Sequence, residues 1–150
     1  MFILAWALVF LFLFLFFYYR ENSNQQNYQI KDGMITLRPD SQGHYRMPGF
    51  INGYSVNFMV DTGASLVAIP ENIASRLHLT GHYPIKLITA SGEAKGSLTR
   101  VNSLSFGNFE LKDIKAVIVP DMHDDTVLLG MNVLSRFQLF QQKKQLIIKN

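Results

Sequence analysis

The chain has 150 residues, a formal net charge of +3 and no cysteine. This length allows one domain with a modest core, and the lack of cysteine excludes disulfides, thiolate catalysis and zinc bound by sulfur. The basic residues are scattered apart from Lys143-Lys144, so we do not expect nucleic acid as a partner.

The N-terminal segment from Met1 to Tyr19 contains no charged or amide side chain. As a helix it would span about 28 Å, close to the ~30 Å hydrocarbon core of a bilayer. The sequence therefore predicts a single-pass transmembrane anchor over residues 1–19. A cleaved signal peptide is the alternative, but the basic start and the small-residue cleavage site are missing. Arg20, offset by Glu21, leans only weakly towards a cytoplasmic domain, so the topology stays open.

Residues 20–29 are polar and rich in amides, which predicts a flexible linker before a folded domain over residues 30–150. Short apolar runs broken by turn residues then predict strands, and Asn52-Gly53 is the strongest hairpin signal. A short helix is expected from Glu71 to about His78, with Ile73 and Leu77 on one face. The strands predicted in this half are Met34 to Arg38, His44 to Ile51, Tyr54 to Val60 and Val67 to Ile69.

The second half also predicts mainly β-structure. A long hairpin is expected around the small polar turn Ser91-Gly92-Glu93, whose tip need not pack on anything. With a short helix from Met131 to Phe137, the pattern predicts a mainly β, barrel-like domain with one or two short helices. The strands predicted here are Pro84 to Ala90, Ala94 to Phe106, Phe109 to Val119, Val127 to Leu129, Gln138 to Phe140 and Gln145 to Lys149.

Asp61 is the main candidate for chemistry, because it follows the apolar strand Tyr54 to Val60 and precedes a tight turn. Gly63 allows the backbone to turn sharply, and the hydroxyls of Thr62 and Ser65 can hold the turn in place. An ordinary strand-end aspartate is the alternative. A bare Asp-Thr-Gly arises by chance in on the order of a few per cent of chains this long, so the tripeptide alone is weak evidence.

The ordered set of motifs is more specific than the tripeptide. Asp61-Thr62-Gly63-Ala64-Ser65, a flap-like hairpin about thirty residues on, and Leu128-Leu129-Gly130 before a short helix resemble the retropepsin-like single-lobe aspartic proteases. The runs Gly43 to Tyr45, Ile51 to Gly53 and Leu128 to Leu134 resemble the bacterial forms that carry an N-terminal membrane anchor.

This resemblance implies a closed acid-protease lobe and assigns roles to individual residues. Asp61 would be the catalytic aspartate, and Thr62 would bridge the two active-site loops of a homodimer. The strand and turn beside the catalytic loop would be Leu128, Leu129 and Gly130. The flap that covers a peptide or protein substrate would be formed by Ala90, Ser91, Gly92 and Glu93.

The implied activity is that of a membrane-anchored aspartic endopeptidase that uses no metal and no cofactor. Two Asp61 carboxylates, one from each chain, would share a proton and activate water. Retroviral members often carry an acid after the motif alanine and an arginine after Leu-Leu-Gly, where this chain has Ser65 and Met131. That ion pair braces the retroviral dimer, so a retroviral-style interface is not expected here. The resemblance to anchored bacterial forms also implies a periplasmic domain.

Other readings of the sequence remain open. The domain could be a non-catalytic, membrane-tethered module that binds peptides or proteins. The run His123-Asp124-Asp125 suggests a metal site, but a solvated polar loop is favoured, because adjacent loop residues rarely converge on one ion. If one chain held both acids, the second would be sought at Asp121, Asp124 or Asp125. The histidines at positions 44, 78 and 82 stand alone in the sequence and are expected at ordinary surface or strand positions.

Overall fold

The structure is a computed structural model that describes residues 2–25, 27–89 and 92–150, with side chains described for residues 6–18, 27–89 and 92–150. The chain begins with helix α1 (Phe2–Gln25), whose described side chains from Trp6 to Tyr18 are all exposed. The described residues contain no helix that is both long and apolar enough to cross a membrane. The predicted anchor therefore has no support from the structure and stays a prediction.

After α1, the described residues form short strands and two short helices, which confirms the predicted mainly β fold. The helices are α2 (Glu71–Arg76) and α3 (Met131–Leu134), each ending two or three residues before its predicted end. The strands are β1 (Tyr28–Lys31), β2 (Met34–Leu37), β3 (Arg46–Ile51), β4 (Tyr54–Val60), β5 (Val67–Pro70), β6 (Tyr83–Thr89), β7 (Gly92–Phe106), β8 (Phe109–Val119), β9 (Thr126–Leu129), β10 (Gln138–Gln142) and β11 (Gln145–Lys149).

The larger sheet has the strand order β3-β4-β9-β5-β8-β7-β6, and β3 also pairs with β7. Six of these strands therefore close into a barrel, and β6 extends from it as an edge strand. The smaller sheet has the order β1-β2-β11-β10. Within the larger sheet, β9 lies between β4, to which it is parallel, and β5, to which it is antiparallel. This arrangement brings two distant parts of the chain together at the end of β4.

The core follows from the alternation along each strand. In β4, Val56 and Phe58 are buried, and Asn57 between them is exposed. The ring of Phe58 packs edge-on against Phe106 of β7, with 6.2 Å between the ring centroids. In β5, every residue is buried, because Val67 and Ile69 belong to the main core and Ala68, on the other face, packs with Val117 and Val119. Each fully buried valine, isoleucine or phenylalanine side chain contributes about 2 kcal/mol to the stability of the fold. The strands β4 and β5 are therefore rigid supports for the loop that joins them.

The structure differs from the sequence predictions at both ends of the domain. Helix α1 continues to Gln25 and β1 begins at Tyr28, so both elements extend into the segment 20–29, whose role as a linker stays a prediction. β1 pairs with β2 along four residues, and Tyr28 is its residue that packs against the core, while the other three are exposed. The last hairpin turns at Lys143 and Lys144 alone, and both adopt positive φ.

Candidate active site

Asp61 directly follows the last residue of β4, at the point where that strand runs parallel to β9. Val60 pairs with Leu129 across the two strands, and the Asp61 backbone N–H donates to the Leu129 carbonyl at 3.2 Å. Because both neighbouring strands end here, the backbone that follows each of them is free to turn towards the other. The sheet therefore sets the position of the Asp61 Cα atom.

The loop after Asp61 is held by its own hydrogen bonds. The Gly63 backbone N–H donates to Asp61 Oδ1 at 2.8 Å, and the Ala64 N–H donates to the Asp61 carbonyl at 3.2 Å. These bonds fix the orientation of the carboxylate relative to the turn. Asp61 is half-buried, whereas Thr62, Gly63 and Ser65 are exposed, so a second molecule can reach this loop.

The run Leu128-Leu129-Gly130 packs beside this loop. At the start of α3, the Met131 N–H donates to the Ala64 carbonyl at 2.7 Å, and the next N–H donates to the Ser65 carbonyl at 3.1 Å. Gly130 is required at this crossing, because a Cβ atom there would overlap the Leu66 carbonyl and lie 2.9 Å from the Ala64 oxygen. The structure thus brings together the predicted aspartate loop and the predicted Leu-Leu-Gly turn.

Asn132 is a supporting residue that the sequence predictions missed. Its Oδ1 accepts from the Val67 backbone N–H at 3.1 Å, and its Nδ2 donates to the Lys115 carbonyl at 2.8 Å. One side chain therefore ties α3 to the start of β5 and to β8. The sequence signal that could have found this residue is an asparagine, a poor helix former, within the helix predicted from Met131 to Phe137.

The predicted flap corresponds to a hairpin of β6 and β7. Gly92 and Glu93 lie in β7, paired with Thr89 and Ile88. The other two predicted flap residues, at positions 90 and 91, lie outside the described residues. Ile88 is 94% exposed, so the described part of the hairpin presents an apolar side chain to solvent.

A cavity of about 560 Å³ lies along β3 and β4. Asn57 lines it, and since alternate residues of a strand share a face, Asn57 and Asp61 belong to the same face of the extended backbone. Arg46 also lines the cavity, where its Nε donates to Asp40 Oδ2 at 2.9 Å and its Nη1 to Thr126 Oγ1 at 2.7 Å. The cavity lining also includes His44.

Asp40 is ionised more readily than an ordinary aspartate. Burial opposes its charge, but hydrogen bonds from the backbone N–H groups of His44 and Gln42 and from the Arg46 guanidinium outweigh that effect. Together they lower the pKa of Asp40 below its usual value. The negative charge holds Arg46 in place along the cavity wall.

Two of the three alternative acids named from the sequence have hydrogen-bond partners of their own. Asp124 Oδ1 accepts from Thr126 Oγ1 at 3.1 Å, and Asp125 Oδ1 accepts from Asn72 Nδ2 at 3.0 Å. Asp121 is exposed in the loop between β8 and β9. Across the part of the chain that the structure describes, no three or more histidine, aspartate and glutamate side chains are grouped to hold a metal ion.

Known proteins resemble this chain in sequence. The family model described as gag-polyprotein putative aspartyl protease matches residues 47–136. An uncharacterized protein of Rickettsia prowazekii (strain Madrid E) is 35% identical over 121 residues, which cover 79% of this chain and 52% of that protein. An uncharacterized protein of Sinorhizobium sp is 26% identical over 112 residues, which cover 73% and 48%. The chain thus spans about half the length of the curated relatives it matches.

Solved structures show the same fold. A retropepsin-like aspartic protease from Rickettsia conorii superposes with a TM-score of 0.65 at 31% sequence identity, covering 81% of this chain and 93% of that one. The EIAV protease in complex with the inhibitor HBY-793 superposes with a TM-score of 0.52 at 20% identity, covering 66% and 86%. The second likeness concerns the fold alone.

Proposed function

Because the chain belongs to the family of retropepsin-like aspartic proteases, we propose that it is an aspartic endopeptidase that works as a homodimer. In this proposal, Asp61 is the catalytic residue of each chain, and the substrate is a peptide or an extended protein segment. Neither a metal ion nor a cofactor takes part in the reaction.

The observation that carries the proposal is the fixed, accessible loop of Asp61. Its carboxylate is oriented by the Gly63 N–H at 2.8 Å and its backbone by Leu129 at 3.2 Å, while the loop residues around it stay exposed. A carboxylate held this firmly at a surface is suited to meet a partner group in a set geometry. A binding module would not need that degree of fixation.

The chemistry requires two such carboxylates. One takes a proton from water, and the other, protonated, donates to the carbonyl of the peptide bond. At about 3 Å and an effective dielectric constant near 20, two ionised carboxylates would repel each other by roughly 5 kcal/mol, so the pair retains one proton. One chain provides one Asp61, and the exposed loop leaves room for the partner's loop.

The hairpin of β6 and β7 supplies a cover for the substrate. It extends beyond the closed barrel, and its exposed Ile88 can bury apolar surface of a bound peptide. Glu93 is held to Lys86 by an ion pair of 3.3 Å across the hairpin. Both side chains are largely exposed, so this pair contributes little to stability.

Peptide hydrolysis by the full chain tests the proposal. Asp61→Asn keeps the shape of the side chain but removes its acid and base functions, so hydrolysis should fall by at least ~10³-fold while the fold is retained. The matched control is Asp32→Asn, in the exposed β1–β2 turn, where Asp32 adopts a positive φ that asparagine also tolerates. Full activity in Asp61→Asn would contradict the proposal, and peptide binding without hydrolysis by the wild type would favour the non-catalytic alternative.

Attachment to a membrane is a separate proposal that rests on the sequence from Met1 to Tyr19 alone. The same proposal places the protease domain in the periplasm. Fractionation of cells that express the full chain, followed by protease treatment of intact spheroplasts, tests both points. Recovery of the chain in the soluble fraction would contradict the anchor.

A further inference from the structure

The cavity of about 560 Å³ along β3 and β4 has a positively charged lining. Two guanidinium groups and one carboxylate line it, so its charged side chains leave one net positive charge before any contribution from the imidazole of His44. The guanidinium groups belong to Arg38 and Arg46, and the carboxylate belongs to Asp40. A lining of this kind favours an anionic ligand over a cationic one.

The carboxylate of the lining is already bonded by donors of the protein. Asp40 Oδ1 accepts from the backbone N–H groups of Gln42 and His44, each at 2.9 Å, and Oδ2 accepts from Arg46 Nε at 2.9 Å. These bonds offset its charge, so Asp40 opposes an anionic ligand less than a free carboxylate would. A second acid, Asp124, accepts from the Thr126 hydroxyl at 3.1 Å and does not line the cavity.

The two cations of the lining differ in how they are held. Arg46 is half-buried, and its bonds to Asp40 and Thr126 orient a guanidinium group that has more N–H donors than these bonds use. Arg38 is exposed, and among the described side chains it forms no ion pair and no hydrogen bond. One oriented donor group and one uncommitted positive charge are therefore available to a ligand.

The cavity lies on the same face of the sheet as Asp61. Arg46 is the cross-strand partner of Met59, which lies two residues before Asp61, and Asn57 lies four residues before it. Because cross-strand partners and alternate residues share a face, these positions lie on one line of the sheet towards Asp61. At about 3.4 Å per residue, Met59 and Asn57 lie roughly 7 and 13 Å from Asp61 along β4. An extended peptide spans this distance with about two to four residues.

We infer that this cavity is a specificity pocket for an acidic side chain of the substrate, aspartate or glutamate, about two to four residues from the cleaved bond. Arg46 donates to the carboxylate of that side chain, and Arg38 supplies the uncommitted positive charge. The inference rests on the proposed function, because it names the substrate class of that same site. A free anion such as phosphate presents the same acceptor atoms, but it gains nothing from the alignment of the cavity with Asp61, so a substrate side chain is favoured.

Cleavage of a peptide library by the full chain provides the first test. Mass spectrometry identifies the cleaved bonds, and acidic residues should be enriched about two to four residues away from them. One cleaved peptide is then made with glutamate, glutamine or lysine at the enriched position. The value of kcat/KM should be about tenfold or more higher for the glutamate peptide than for the lysine peptide, with the glutamine peptide between them. A lack of enrichment, or equal kcat/KM for the three peptides, would overturn the inference.

Reversal of the charge at Arg38 is the second test. Arg38→Glu should lower the ratio of kcat/KM for the glutamate peptide to that for the lysine peptide by about tenfold or more. The ratio does not depend on the amount of folded enzyme, so a partial loss of stability does not affect it. The matched control is Arg76→Glu in α2, because Arg76 is also exposed, lies outside the cavity lining and gives the same change in net charge. An unchanged ratio in Arg38→Glu, or an equal decrease in Arg76→Glu, would contradict the inference.

Inorganic phosphate distinguishes a substrate side chain from a free anion. At constant ionic strength, phosphate should raise KM for the glutamate peptide and leave KM for the lysine peptide unchanged, because only the first peptide competes for the cavity. Equal inhibition with all three peptides would show that the anion acts independently of the substrate side chain, and the inference would be overturned.

Failure of the pocket and failure of the proposed activity give different results. Binding of the peptide library to Asp61→Asn measures the pocket without hydrolysis. If acidic peptides are retained by Asp61→Asn and lost when Arg38→Glu is added, the pocket stands even where no hydrolysis depends on Asp61. If hydrolysis depends on Asp61 but shows no preference for acidic residues, the peptidase proposal stands and the inference is overturned.

Discussion

Gly130→Ala should disable the site while leaving most of the fold intact. The new Cβ atom would overlap the Leu66 carbonyl and lie 2.9 Å from the Ala64 oxygen. To restore ordinary van der Waals separation, the loop of Asp61 and the start of α3 must move apart by roughly 1 Å. That movement strains the 2.7 Å bond from Met131 to Ala64, which holds the two together.

The size of the effect follows from this displacement. Overpacking of a tight crossing costs typically 1–3 kcal/mol of stability. A shift of about 1 Å in a catalytic group costs on the order of 10²-fold in rate. We therefore expect the free energy of unfolding to fall by about 2 kcal/mol and kcat of peptide hydrolysis to fall by about 100-fold in the folded protein.

Gly53→Ala is the matched control. Gly53 has φ of +81° in the β3–β4 turn and has no atom within 4 Å of an added Cβ. Alanine there should lower stability by about 1 kcal/mol through backbone strain, without moving the loop. Urea unfolding and steady-state kinetics measure the two effects separately. If Gly130→Ala is folded and its kcat stays within about threefold of the wild type, the close crossing does not position Asp61 and the reasoning is refuted.

Three further outcomes are expected. Asn132→Ala leaves the Val67 N–H and the Lys115 carbonyl without their partner. The free energy of unfolding measured in urea should therefore fall by about 1–3 kcal/mol. An unchanged value would show that water replaces the side chain. Because the pKa of Asp40 is lowered in the folded protein, the ionised carboxylate stabilises the fold above the ordinary aspartate pKa, and this stabilisation is lost as the pH falls below about 4. The thermal stabilities of wild type and Asp40→Asn should therefore converge in acid. A difference that is constant with pH would contradict this role. Hydrolysis should be greatest at mildly acid pH, resist chelators and be blocked by statine-like transition-state mimics. An activity that is sensitive to chelators and has an alkaline optimum would point to another mechanism.

The fold was predictable wherever local chemistry agreed with tertiary packing. Asn52 and Gly53 both take positive φ and form the expected turn, and the run from Tyr54 to Val60 forms the expected strand. The apolar run before Gly130 was correctly predicted to be a strand followed by a helix. These segments carry both their own conformational preference and the pattern of burial, so one sequence signal was sufficient.

Other features depend on distant partners and carry no local signal. β1 has only four residues, three of them exposed, and is held by pairing with the edge of β2. Lys143 and Lys144 turn the last hairpin in a conformation that usually requires asparagine or glycine. The bracing role of Asn132 exists only because Val67 and Lys115 meet it in space. Two residues of the predicted flap turn, Gly92 and Glu93, instead continue the ladder of β7, because they pair with Thr89 and Ile88 across the hairpin.

The sharing of one active site by two chains is tested most directly by mixing wild type with Asp61→Asn. A fixed amount of wild type is incubated with an equal amount of the variant until differently tagged chains have exchanged, and peptide hydrolysis is then measured. If both Asp61 carboxylates are needed, hydrolysis should fall to about half, because half of the wild-type chains then have an inactive partner. Asp32→Asn added in the same way should not lower it. Hydrolysis that stays at the wild-type level after exchange with Asp61→Asn would show that each chain acts alone, and would contradict the account.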